Sequence, residues 1–302
     1  MIYTPLQKYK ENWLLLTFIL LFSLGVITLT ILDTSDLLYN SRLKNQGTLP
    51  VLLLFGIFFA PLLEELAFRG MFVDKKKFTI ISLILITFIS FLSYTNYYAL
   101  GTYFLFMLTF FLFQKKKSIH SFIILSILNS TLFGLVHYTM ADFTSFEKGF
   151  IILFQVSFGF LLIWTTINFS LIRSVFLHAV YNLFMFSFLI VSVQFPDTKI
   201  HIYHDENIEV EWQKTPYFQT SSSKFSITPE VLEASNTTIG SFYEIIGIKA
   251  SSKENKEIIP IDSYMKYNFK IILKKKLNER TLNKSIDNFF LKEKLLAFDE
   301  IK

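Results

Sequence analysis

Residues 61–70 read PLLEELAFRG and close a long apolar run, so two carboxylates, Glu64 and Glu65, and the guanidinium of Arg69 fall in a segment otherwise suited to lipid. An ionisable side chain near a bilayer centre costs about 3 kcal/mol or more, and such groups pair with one another or mark a functional site. On a helix Glu65 and Arg69 lie four residues apart and share a face, which predicts a structural ion pair. Glu64 points about 100° away from Glu65 and must find another partner. Pro61 removes a donor from the helical ladder one turn earlier, a break tolerated inside membranes where a helix lines a cavity.

The first two thirds of the chain share this apolar character. Of 302 residues, 52% are hydrophobic, 36 are Phe and only 18% are charged, against about a quarter charged in soluble domains. The apolar residues gather in runs long enough for helices crossing about 30 Å of hydrocarbon. Seven spans are predicted, at 13–32, 50–70, 78–94, 97–113, 119–138, 149–168 and 172–194, the third and fourth joined as a hairpin through SYTNYY. The first span lacks a small-residue cleavage site and reads as retained. Lys8, Lys10, the KKK runs at 75–77 and 115–117 and Arg173 alternate with Arg42, Lys44 and Lys148. This asymmetry puts the N-terminus in the cytoplasm and, after seven crossings, the C-terminus outside. The expected location is the plasma membrane, the inner membrane of a bacterial envelope. Cysteine is absent, which excludes disulfides, thiol nucleophiles and Cys-ligated metals. The net charge of +5 clusters beside spans as a topology signal, so the partner is the lipid bilayer and not nucleic acid.

From Phe195 onward the composition changes. KIHIYHDENIEVEW alternates apolar and polar residues around a polar turn and predicts a hairpin, MKYNFKIILKKK a strand, and NERTLNKSIDNFFLKEKLLAF a helix. The fold class expected is therefore an α-helical polytopic membrane protein of about seven spans, residues 1–195, with a soluble α+β domain at 196–302. The tail has no Gly-rich phosphate loop and no catalytic cluster; on the outer face it is placed to present or exclude substrates or, alternatively, to bind a partner protein.

Two more polar intrusions interrupt the apolar spans. TLFGLVHY places His137 one turn after Phe133, and VFLHAVYNLF places His178 and Asn182 four residues apart on one helical face. A lone intramembrane His more often packs helices than catalyses. A spare carboxylate, two imidazoles and a carboxamide together supply a general base, a second acid/base and hydrogen-bond donors, which suffice to activate water and stabilise an oxyanion.

EELAFR, FGLVH and HAVYN occur in that order as EExxxR, FxxxH and HxxxN. In this the chain resembles the CPBP family, the CAAX-protease and bacteriocin-processing intramembrane proteases, over roughly residues 50–194. The resemblance implies that Glu64 and His137 activate the attacking water, that His178 and Asn182 form the oxyanion hole, and that the substrate is a membrane-associated protein or peptide. Glu64, His137 and His178 could also hold a divalent metal such as zinc with an open position for water, although the helical signature of two His flanking a catalytic Glu is absent. The expectation leans to a metal-independent site with no obligatory cofactor. A polar brace in a non-catalytic scaffold or immunity-type protein, and a proton-relay transporter, are the competing readings; the transporter should show internal pseudo-symmetry, and none is evident.

The chain departs from the family pattern in its tail and in the 68 residues between Glu65 and Phe133, enough for an inserted hairpin at 78–113. Spacing also raises a conflict. If both KKK runs mark one depth, rises of 1.5 Å per residue leave Glu64 and His137 about 14 Å apart.

Overall fold

The computed structural model describes residues 12–32, 49–143, 146–218, 222–246, 256–260 and 264–300. The topology signals at Lys8, Lys10, Arg42 and Lys44 lie outside the described residues. The chain divides into two compact units, 1–184 and 185–302.

The first unit is helical. Helix α1 (Trp13–Leu32) is followed by α2 (Leu49–Leu54), a five-residue π segment (Phe55–Phe59) and α3 (Ala60–Arg69), which ends in a 3-10 turn at Gly70–Phe72. Then come α4 (Lys76–Leu92), α5 (Tyr97–Lys116), α6 (Ile119–Leu135), α7 (Phe146–Asn168) and α8 (Leu171–Gln194), the last running on into the second unit. Among the described residues three stretches are long and apolar enough to cross a membrane by length and composition, Leu49–Phe72, Tyr97–Lys116 and Leu171–Gln194; Trp13–Ile27, Ile119–Leu135 and Ile152–Asn168 are shorter apolar helices.

Local chemistry sets the helix ends. Asn96 caps α5 by accepting from Ala99 N–H at 3.1 Å, and Ser118 caps α6 by accepting from Ser121 N–H at 3.1 Å. Small residues set the closest packing. A Cβ on Gly134 of α6 would meet Val156 of α7 at 2.7 Å, and one on Gly159 of α7 would meet Ser130 at 3.0 Å. Close backbone approach through Gly and Ser is how helices associate where lipid is as apolar as leucine. It also brings the Gly159 carbonyl to the site described below.

The second unit carries a five-stranded antiparallel sheet in the order β1-β2-β6-β4-β3, from β1 (His201–His204), β2 (Ile208–Thr215), β3 (Lys224–Ile227), β4 (Val231–Thr237) and β6 (Lys266–Leu273). A separate two-stranded sheet pairs β5 (Lys256–Pro260) with β7 (Leu296–Glu300). Period-two alternation buries Ile208, Val210 and Trp212 of β2 with Tyr267, Phe269 and Ile271 of β6. Aromatic residues of α9 (Ile239–Ile246) and α10 (Glu279–Lys292) complete the core, with Phe269 5.2 Å from Phe242 and 5.4 Å from Phe290 between ring centroids. The hairpin read at 199–212 is β1–β2, in register His201↔Trp212. The helix read at 278–298 ends at Lys292, and its last residues turn into β7 instead.

Candidate active site

Helix α3 supplies three of the charged groups, and its surroundings explain how it can end within an apolar bundle. The last carbonyls of a helix have no intrahelical donor. Here Ser82 Oγ of α4 donates to Ala67 O at 2.5 Å, and Asn129 Nδ2 of α6 donates to Phe68 O at 2.9 Å. The helix is thereby clamped from two sides, which fixes the directions of Glu64, Glu65 and Arg69.

Glu65 and Arg69 are both fully buried and lie 3.5 Å apart. Arg69 also donates to Gly159 O at 3.4 Å and lies over the ring of Phe133, 4.0 Å from its centroid. A desolvated cation–π contact of this kind contributes about 2 kcal/mol. Glu65 is more than a partner for Arg69. Its Oε1 is 3.0 Å from His178 Nδ1, and its Oε2 accepts from Ser174 Oγ at 2.5 Å. A carboxylate that receives one ring N–H of a histidine fixes both the tautomer and the plane of the ring. Sequence reasoning gave Glu65 one role, and α8 adds a second.

Glu64 faces the other way, 22% exposed, with no hydrogen bond to its Oε2 among the described residues. That oxygen lies 3.5 Å from His137 Nε2 and 3.7 Å from His178 Nε2. His137 Nδ1 is 2.6 Å from Phe133 O, and a carbonyl only accepts, so Nδ1 carries a proton and Nε2 presents its lone pair in the neutral ring. Two imidazole nitrogens and a carboxylate oxygen thus converge on one point, reached from α3, from the turn after α6 and from α8. The separation of about 14 Å expected from helix rise alone does not arise: His137 lies beyond the end of α6 and Glu64 before the end of α3, and their side chains meet.

Phe133 packs at the centre. Its ring centroid is 5.1 Å from that of His137, 5.7 Å from that of His178 and 5.3 Å from that of Phe68. An aromatic one turn before His137 therefore walls the site and receives Arg69 on its face.

Asn182 is held differently. In the π segment the Ala60 N–H donates to Phe55 O, five residues back. The next N–H in that register would belong to residue 61, which is proline, so Gly56 O has no helical donor left. Asn182 Nδ2 donates to it at 2.7 Å. One of the two amide hydrogens is thereby tethered, leaving the second for a ligand.

Among the described residues no group of three or more His, Cys, Asp or Glu side chains is arranged to hold a metal ion. Glu64 Oε2 and the His137 Nε2 lone pair are two acceptors facing each other, and a water molecule can donate one hydrogen to each of two acceptors.

Ser174, Ser82, Asn129, Asn96 and the Gly56 carbonyl escaped the sequence reading. Each is an ordinary polar residue or a backbone group, and its importance comes from a partner distant in sequence.

Residues 46–184 match the family described as type II CAAX prenyl endopeptidase Rce1-like. The matched stretch, just under half of the chain, holds Glu64, Glu65, Arg69, Phe133, His137, His178 and Asn182 and stops short of the β-sheet unit. No curated protein and no solved structure matches the chain.

Proposed function

We propose, from the match of residues 46–184 to the Rce1-like type II CAAX prenyl endopeptidase family, that this protein is an intramembrane endopeptidase hydrolysing a peptide bond of a membrane-associated protein or peptide. The observation that carries the reading is the approach of His137 Nε2 and His178 Nε2 to Glu64 Oε2 at 3.5 and 3.7 Å.

In this reading Glu64 and the Nε2 lone pair of His137 accept hydrogens from one water, whose oxygen attacks the scissile carbonyl. The new C–O bond gives a tetrahedral oxyanion. Its collapse breaks the C–N bond, and Glu64 or His137 passes the abstracted proton to the departing amine. His178 and the untethered amide hydrogen of Asn182 face the oxyanion. Donation from His178 Nε2 while Nδ1 donates to Glu65 calls for the imidazolium, and Glu65 and Glu64 supply its counter-charges on the two sides. Water activation then runs without metal. Chelation tests that point: loss of cleavage on chelator treatment, restored by zinc, would make Glu64, His137 and His178 ligands instead.

All seven apolar spans read from the sequence cross the membrane in this reading, with the N-terminus cytoplasmic and residues 196–302 outside the plasma membrane. The lysine asymmetry supports this placement. A reporter fused at residue 302 and active only in the cytoplasm would refute it. The 196–302 domain acts as an accessory to the 1–195 protease domain, binding a partner protein or sorting substrates.

The enzyme itself is tested by substrate trapping. Glu64→Gln should accumulate a membrane protein that the parent cleaves, visible in quantitative proteomics of membranes. Undiminished cleavage by Glu64→Gln would leave the polar cluster as a helix brace.

A further inference from the structure

We propose that the inserted hairpin α4–α5 is a positioning device for the water-activating pair, and that Asn96 at its tip is the residue that holds His137 in place; the proposal rests on the endopeptidase reading.

His137 is not on a helix. Helix α6 ends at Leu135, and the imidazole hangs from the turn that follows, where helical geometry no longer dictates its direction. Past the helix end the carbonyls lose their regular i+4 donors, although Leu135 O still accepts from Tyr138 N–H at 3.1 Å, and in an apolar bundle further donors must come from the protein. The hairpin tip supplies side-chain donors. Asn96 Nδ2 donates to Leu135 O at 2.8 Å and to Tyr138 O at 2.9 Å, and Ser93 Oγ donates to Val136 O at 3.4 Å. Asn96 is fully buried and Ser93 is 2% exposed.

The carboxamide is matched group for group. Its two hydrogens pin carbonyls on either side of residue 137, and its oxygen accepts from Ala99 N–H at 3.1 Å, capping α5. An amide has two donors on nitrogen and acceptor capacity on oxygen, and no other common side chain of this size carries both. Aspartate keeps the acceptor and loses the donors. Serine keeps a capping oxygen with a single donor.

The other end of the hairpin grips α3. Ser82 Oγ of α4 donates to Ala67 O at 2.5 Å, three residues beyond Glu64. Thr87 Oγ1 and the Tyr103 hydroxyl, 2.8 Å apart, tie α4 to α5. One insert therefore bonds to the element carrying Glu64 and to the turn carrying His137, and so governs the 3.5 Å separation of their reacting atoms. Misplacing a reacting group by about 1 Å costs on the order of 10²-fold in rate.

The experiment uses the full-length protein in detergent or nanodiscs, labelled with ¹⁵N-histidine, and compares the parent with Asn96→Asp and Asn96→Ser. His137→Gln assigns the His137 imidazole signals among the five histidines. Turnover is read on an internally quenched farnesylated CAAX peptide. The expected result is movement of the His137 signals in both variants, with His201 and His204 of the sheet unit unmoved, and a kcat lower by about 10²-fold with KM retained. Helix content by circular dichroism should hold, because the α5 cap survives. His137 signals and kcat both at parent values in the two variants would overturn the proposal, as would a uniform shift of all five histidines. Should Glu64→Gln leave peptide turnover intact, the protease reading falls, and the His137 spectrum alone then decides whether Asn96 holds that turn.

Discussion

In the first unit Glu65, Arg69, Asn129 and Ser130 are completely buried while Phe58, Phe88, Phe104 and Phe176 are each 60% or more exposed; in the second unit Phe242, Phe289, Phe290 and Ile271 are the buried residues and Glu233 and Lys270 are on the surface. The two halves answer different solvents. In water, burying apolar surface contributes roughly 25 cal/mol per Å², so the sheet unit gathers its phenylalanines inward. In lipid that force is missing, and helices are held by close packing and by hydrogen bonds between groups that cannot stay unpaired. In the proposed reading, polar residues inside the first unit are therefore both its glue and its chemistry. Among the described residues those inside the second unit are few, including Tyr243 with Asp287 and the Asn207–Ser285 pair.

The contrast is sharpest at Glu64, which faces the histidines and supports no helix end. Glu64→Ala and His137→Ala should each abolish cleavage while inserting and folding like the parent, as measured by membrane abundance and size-exclusion profile. His178→Ala should do the same to activity. Were the polar interior only glue, these variants would lose abundance and not chemistry.

Arg69 and Glu65 should behave in the opposite manner. Removing one member of a buried pair strands the other charge, at a cost of about 3–5 kcal/mol. Single Glu65→Gln and Arg69→Met variants should fall in steady-state level and melting temperature. The double variant should regain part of the level, yet stay impaired in turnover because His178 loses its carboxylate. Singles that accumulate normally but are inactive would move the pair from brace to chemistry.

Asn182 sits between these classes. Loss of one oxyanion donor costs about 10²–10³ in rate, so Asn182→Ala should retain measurable turnover where Glu64→Ala has none. Pro61→Ala returns an N–H that competes for Gly56 O. Its effect on turnover should overlap that of Asn182→Ala instead of adding to it. Multiplicative losses in the double variant would show that the π segment and Asn182 act separately.

How much of this was legible follows from the same contrast. Each of the seven apolar runs falls on a helical stretch among the described residues, α2, the π segment and α3 together making one of them, because lipid imposes a long and uniform signal. Of these runs, three stretches among the described residues meet by length and composition what a crossing needs. Helical phase separated Glu64 from Glu65 correctly in direction, but the carboxylate of Glu65 also serves His178 and Ser174, partners 113 and 109 residues away. SYTNYY was readable as a turn; nothing in six residues says that its Asn96 reaches Leu135 and Tyr138. In the tail, β1, β2, β6 and α10 had clear periodicity. Strands β3 and β4 did not, because KFSI and VLEASNT mix small and polar residues, and β4 is broken by an irregularity between Ala234 and Thr237.

The smallest expected effect tests the tail's buried polar pair. The Tyr243 hydroxyl donates to Asp287 Oδ1 at 2.8 Å, and burial first, then the neighbouring carboxylate, pushes the phenol well above its ordinary value of 10. In the unfolded chain the phenol titrates near 10, whereas in the fold it keeps its proton. Above that pH the unfolded state binds fewer protons than the native one, so stability falls as pH rises. Below it the pair contributes its full stability. Tyr243→Phe should cost about 1–3 kcal/mol near neutral pH, since it leaves Asp287 without this donor. Its stability should then vary less with pH between 9 and 11 than the parent's. Hydrogen exchange of backbone amides in β6 and α10 across that range measures both quantities in the full-length protein. Equal pH slopes for parent and variant would show that Tyr243 titrates like an exposed phenol, and that the sheet unit's interior is wetter than its aromatic packing implies.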